Sequence, residues 1–202
     1  MREAGIGRVL VASLHQAISD ILPTRLGFYE NWLNAEGLRE GTIGLAPLYA
    51  VLSFLRQEEG DAYALITTRA GEYAADWTVQ EMPPIQRSLV KAAPPWLRSR
   101  ILLRLARALV RSSYSGSRAV STIRGGNARV DLRASVFCTV RDRVPHPLCG
   151  FYVAAFTRTM ALFDMGATIE VIACRGTGEA SCILNVSILN GRSGQPATVD
   201  AT

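Results

Sequence analysis

The chain has 202 residues, 49% of them hydrophobic, so it is long enough to bury a core of its own. No stretch of about eighteen uninterrupted apolar residues is present, which excludes a conventional membrane-spanning helix. Its 22 Lys and Arg against 17 Asp and Glu leave a net charge of +5, enough to permit contact with anionic surfaces and too little to demonstrate it.

In chain order, Ile6, Leu10, Leu14, Ile18 and Ile21 recur with the period of an amphipathic helix that Pro23 ends. His15 lies within it and reads as a surface contact. Thr24 begins a second helix through Leu26, Tyr29, Trp32 and Leu33, closed by Gly37, and residues 38–44 read as a loop. Leu48, Val51, Leu52 and Leu55 mark a third helix over residues 45–59. Residues 63–68 and 73–79 flank Arg69-Ala70-Gly71-Glu72, and this spacing predicts a β-hairpin. Two Pro-Pro pairs bracket a short helix over residues 85–92. Residues 96–113 form an amphipathic helix with Arg100, Arg104, Arg107 and Arg111 along one side, which reads as a solvated face; no DNA-binding motif accompanies it, and a nucleic-acid partner is not expected.

Residues 117–124 and 128–140 read as strands about the turn Gly125-Gly126-Asn127. A Pro-containing loop delivers His146 and Cys149, an apolar helix follows over residues 150–165, and residues 168–174 and 182–189 form a second hairpin. The polar residues 190–202 read as a tail, so one domain over residues 1–189 is expected. The layout is α+β, an antiparallel sheet with helices packed on one face. No phosphate-cradling loop, nucleophile set or paired-carboxylate motif stands out, and no catalytic residue is assigned.

The densest chemical signal is in the cysteines. A hairpin brings Cys174 and Cys182 together at its mouth, and Cys149 can reach the same point from the start of the preceding helix. Three converging thiols suggest a soft-metal site, zinc above all, which needs about four donors. Glu170, His146, Cys138 and Glu179 are candidates for the fourth. Buried packing is the competing role, because free cysteines also serve as small hydrophobes. The first residues lack the basic-then-apolar pattern of a secretory signal, so a reducing cytoplasm is the expected compartment and disulfides are not expected.

Cys149, the helix after it, and Cys174-x3-Gly178-Glu179-x2-Cys182 with its β-rich continuation resemble the 4-vinyl reductase domain family over about residues 117–189. The resemblance implies a TRAPP-like fold. It also implies a module that binds a small hydrophobic or aromatic molecule as sensor or carrier, with a homodimer expected. In the family's phenol sensors three cysteines and a Glu bind zinc beside the ligand pocket, and Cys149, Cys174 and Cys182 match the three thiols. The family's Glu falls on Val171 here. Glu170 is one residue out of register, which in a regular strand places it on the opposite face, so a bulge is needed to bring it in. With that bulge, Cys149, Cys174, Cys182 and Glu170 make the expected metal set. The pocket wall is expected to include Trp77, Trp96, Phe151, Tyr152, Phe156 and Met160. By similarity to other members, the alternatives are an accessory or reductase-associated factor in bacteriochlorophyll or tetrapyrrole synthesis, or a TRAPP-like interaction subunit.

Overall fold

The computed structural model describes residues 6–33, 45–114, 116–124 and 127–189. The glycine-containing loop expected over residues 38–44, the closing role of Gly37 and the tail at 190–202 lie outside them. The first helix, α1 (Arg8–Ile21), buries Leu10, Leu14 and Ile18 on one stripe. A 3-10 turn at Pro23–Arg25 leads into α2 (Leu26–Leu33), and α3 (Leu45–Glu58) buries Leu48, Val51, Leu52 and Leu55, the periodic positions of the sequence.

The next element corrects an expectation. Residues 62–80 form no hairpin; they are one continuous helix, α4 (Ala62–Gln80). Its buried positions Tyr63, Ile66, Thr67, Ala70, Gly71, Ala74 and Ala75 recur three and four apart, a helical period that the aromatic residues obscure. Gly71 is there for contact, not for a turn. A Cβ on it would lie 2.2 Å from the carbonyl oxygen of Phe151, so the small residues let α4 pack directly against α7 (Gly150–Ala161). Gly71→Ala is therefore expected to lower stability by about 1–2 kcal/mol, because the overpacking cost exceeds the ~1 kcal/mol that alanine gains in a helix. A urea midpoint at or above wild type would remove this account of the glycine.

Two further helices, α5 (Pro84–Ala92) and α6 (Pro95–Ser113), start on the proline pairs as the sequence predicts. Arg107 leaves the expected solvated stripe: its guanidinium donates to the Ala119 carbonyl at 2.8 Å and so pins α6 to the sheet.

The sheet has four strands, β1 (Arg118–Arg124), β2 (Asn127–Arg133), β3 (Gly166–Ala173) and β4 (Cys182–Leu189), in the order β1-β2-β4-β3 with all pairs antiparallel. Ala128, Val130, Leu132, Cys182, Leu184 and Val186 are buried on one face, against which α6 and α7 pack, and α4 lies beyond α7. The α+β class with an antiparallel sheet is thus observed. Among the described residues no helix is long and apolar enough to cross a membrane.

Candidate metal centre

The ends and interruptions of four elements bring the cysteines together. The strand expected over residues 128–140 stops at Arg133, where Ala134 takes a positive φ of 54°. The chain then turns through a short 3-10 segment, Val136–Cys138, that buries Cys138. Cys149 is the residue immediately before α7. Cys182 is the first residue of β4 and lies on its buried face.

Cys174 depends on a bulge. Up to Val171, β3 pairs regularly, with Glu170 opposite Asn185 and Val171 opposite Leu184; the register then slips so that Ala173 faces Ile183. In a regular strand Cys174 would share the outer face with Glu170 and Ile172. One extra residue at the bulge reverses the faces beyond it, so Cys174 turns inward beside Cys182. The bulge lies on the cysteine side of Glu170. It therefore leaves Glu170 exposed on the outer face, and the fourth member of the cluster is Cys138.

All four sulfurs lie within 4.8 Å of one another and all four residues are buried. The Sγ–Sγ separations are 3.4 Å for Cys138–Cys149 and 3.6 Å for both Cys138–Cys174 and Cys149–Cys174. A zinc–sulfur bond of about 2.3 Å gives a tetrahedral edge of about 3.8 Å, so Cys138, Cys149 and Cys174 stand close to the spacing that zinc ligands require, with Cys182 within 4.8 Å of them. Two backbone amides already point at the sulfurs: Leu148 N–H donates to Cys174 Sγ at 3.4 Å, and Arg175 N–H to Cys182 Sγ at 3.3 Å. Contacts among the four thiols push the Cys138 and Cys149 thiols up and, aided by these amides, hold the Cys174 and Cys182 thiols below the usual thiol range despite burial. Such donors stabilise thiolate, the form a metal binds.

Beside the thiols is a cleft of about 1070 Å³ between α3, α4 and the 136–150 segment. Phe137 and Thr139, which flank Cys138, and Leu148 and Gly150, which flank Cys149, all line it. Across from them are Tyr49, Leu52, Arg56 and Tyr63. The Tyr63 hydroxyl is buried in this wall without a hydrogen-bond partner among the described residues, and burial raises its pKa above the usual phenol range. Arg56 is half-buried and forms no ion pair among the described residues.

The pocket wall expected from the sequence is located elsewhere. Phe151, Tyr152, Phe156 and Met160 are fully buried core residues of α7, packed between the sheet and α4. Trp77 stacks on Tyr73 along α4, and Trp96 is 62% exposed at the start of α6. None of the six lines the cleft. The apolar sides of α7 are taken up by core packing, and its exposed positions are Thr157, Arg158 and Ala161. The cleft residues were missed because they come from helix ends and a loop, whose spacing carries no periodic signal. His146 is exposed on the cleft and Glu179 is exposed outside the thiol cluster.

No family model and no curated protein matches the sequence, so the 4-vinyl reductase resemblance stands as a likeness of cysteine spacing. Solved structures do match. An Fe(II) unliganded H-NOX protein from K. algicida superposes with a TM-score of 0.60 at 13% identity, over 94% of this chain and 100% of the other. An H-NOX protein from S. oneidensis in the Fe(II)NO state gives 0.51 at 12%, over 92% and 100%. The phenol-responsive sensory domain of the transcription activator PoxR, solved with phenol, gives 0.50 at 18%, over 74% and 82%. At these identities the likeness is one of architecture: the chain has the α+β fold found in H-NOX proteins and in the PoxR sensory domain.

Proposed function

We propose that this chain is a small-molecule sensor or carrier module in which four thiols hold a zinc ion and the adjoining cleft takes a small ligand with an apolar or aromatic body. One observation carries the reading: the residues on both sides of Cys138 and of Cys149 line the cleft. A ligand there touches the same backbone that positions two of the four thiols, so the metal fixes one wall of the binding site. The neighbours support the class, since the PoxR domain is described as phenol-responsive.

The donor set fits zinc. Four thiols at near-tetrahedral spacing suit a closed structural site, with Cys138, Cys149, Cys174 and Cys182 as ligands, and the ion would tie the segments that carry them. Haem, named for one structural neighbour, fits less well. The space between α7 and the 136–138 turn is filled by Phe137, Phe151 and Tyr152, which pack ring against ring. Of the two histidines, His15 is bonded to Glu30 at 2.7 Å and His146 is exposed on the loop.

The test is native mass spectrometry with metal analysis on protein purified without chelator, followed by titration with phenol as the probe. One zinc per chain and saturable phenol binding are expected; metal-free folded protein that ignores phenol would end the proposal. Within the cleft, Tyr63→Phe removes a hydroxyl that has no partner among the described residues, so the ligand-free protein keeps its stability while phenol affinity falls about tenfold. Equal affinity for phenol in both proteins would move the ligand away from Tyr63.

A further inference from the structure

Helix α5 is scarcely held by the core. Val90 is its one buried side chain, and Arg98 donates to the carbonyl oxygens of Lys91 and Ala93 at its C-terminal end. A helix of nine residues is marginal in water by itself. Its outward face carries Ile85 and Leu89, one turn apart and 74% and 66% exposed, the two most exposed large hydrophobic side chains among the described residues. Trp96 stands exposed just beyond the Pro94-Pro95 corner, with the Arg100 guanidinium 5.7 Å from its ring centroid.

The charge along this stretch of the chain is of one sign. Residues 82–130 contain ten Lys and Arg and no Asp or Glu, so this quarter of the chain carries +10 and the remainder −5. Arg87, Arg100 and Arg104 form no ion pair among the described residues, whereas Lys91 is held 3.3 Å from Asp164. Exposed Ile, Leu and Trp set among unpaired arginines match the requirements of an interfacial helix: apolar groups for the acyl boundary, cations for the headgroups.

We propose that α5 and the first three turns of α6 dock this protein on the surface of an anionic lipid bilayer. Ile85, Leu89 and Trp96 enter the headgroup–acyl boundary, and Arg100 and Arg104 meet lipid phosphates. A two-fold contact with a second copy through this face would set the same arginines against themselves. A nucleic acid would use the cations and leave the three apolar side chains without a partner.

The whole chain is mixed with vesicles of phosphatidylcholine alone or of equal parts phosphatidylcholine and phosphatidylglycerol, and sedimentation is followed at rising salt. The expected result is binding to the phosphatidylglycerol vesicles that weakens with salt, and quenching of Trp96 by brominated acyl chains that disappears in Trp96→Phe. The double variant Ile85→Ser with Leu89→Ser lowers partitioning by about tenfold or more. Arg100→Ala with Arg104→Ala lowers it about twenty-five-fold, roughly fivefold per cation. Both variants keep the wild-type melting temperature, because the altered side chains are exposed. The proposal is overturned by absence of binding to phosphatidylglycerol vesicles, by binding indifferent to Ile85→Ser with Leu89→Ser, by a nucleic acid displacing the vesicles, or by self-association that the same substitutions abolish.

Discussion

Cys138→Ala is expected to lose zinc as completely as Cys174→Ala, while Glu170→Gln keeps it at one ion per chain. All four sulfurs share one cluster, and Glu170 stands on the opposite face of β3, before the bulge. Removing one thiol leaves three ligands and an incomplete tetrahedron. Apparent binding free energies of structural zinc run to about 10–16 kcal/mol in zinc-finger peptides, and the share that appears as stability depends on how much of the site forms without metal. This chain has a large core of its own, so the metal-free protein is expected to remain folded and to lose about 5 kcal/mol. For a chain of this size that loss corresponds to a fall of about 10–20 °C in melting temperature. Scanning calorimetry with and without chelator at neutral pH measures it, alongside the zinc-to-chain ratio of each variant. Cobalt(II) in place of zinc adds a spectroscopic check, since thiolate charge transfer should weaken on loss of Cys138. Retention of one zinc by Cys138→Ala would exclude the four-thiol site and return the fourth position to another donor.

The sequence made the outer elements readable and obscured the joints. Amphipathic stripes such as Leu10, Leu14 and Ile18 repeat over several turns and predict α1 directly. The same holds for α3, α6 and both hairpins of the sheet. Gly71 was misleading because a glycine flanked by charged residues has the composition of a turn; its role as a contact depends on Phe151, eighty residues away in sequence. Cys138 was legible only as one of several fourth donors, because alternation over residues 128–140 placed it in a strand that Ala134 breaks. The inward turn of Cys174 rests on a single bulged residue, and strand alternation predicts the opposite face. Local periodicity specifies elements. The site is assembled from interruptions of that periodicity, and these are set by tertiary contacts.

Phe151→Ala is expected to cost about 3–5 kcal/mol of stability and to leave phenol affinity nearly unchanged. Phe151 is fully buried, two residues after Cys149, and its ring stacks on Phe137, the residue before Cys138, with centroids 4.8 Å apart and an interplanar angle of 21°. Truncation opens a cavity between α7 and the 136–138 turn, next to the carbonyl that packs on Gly71. A ligand-wall residue would behave in the opposite way, with affinity falling and stability preserved. The stack also joins the two chain segments that carry Cys138 and Cys149, so its loss should speed zinc removal by chelator while the stoichiometry stays at one. A double-mutant cycle with Phe137→Ala isolates that link: the two substitutions together should cost less than their sum by about 0.5–1.5 kcal/mol. Urea unfolding supplies the stability terms and chelator kinetics the metal term. Full additivity would mean that the two rings act independently, and zinc release at the wild-type rate would mean that the thiols hold their geometry without the aromatic layer beneath them.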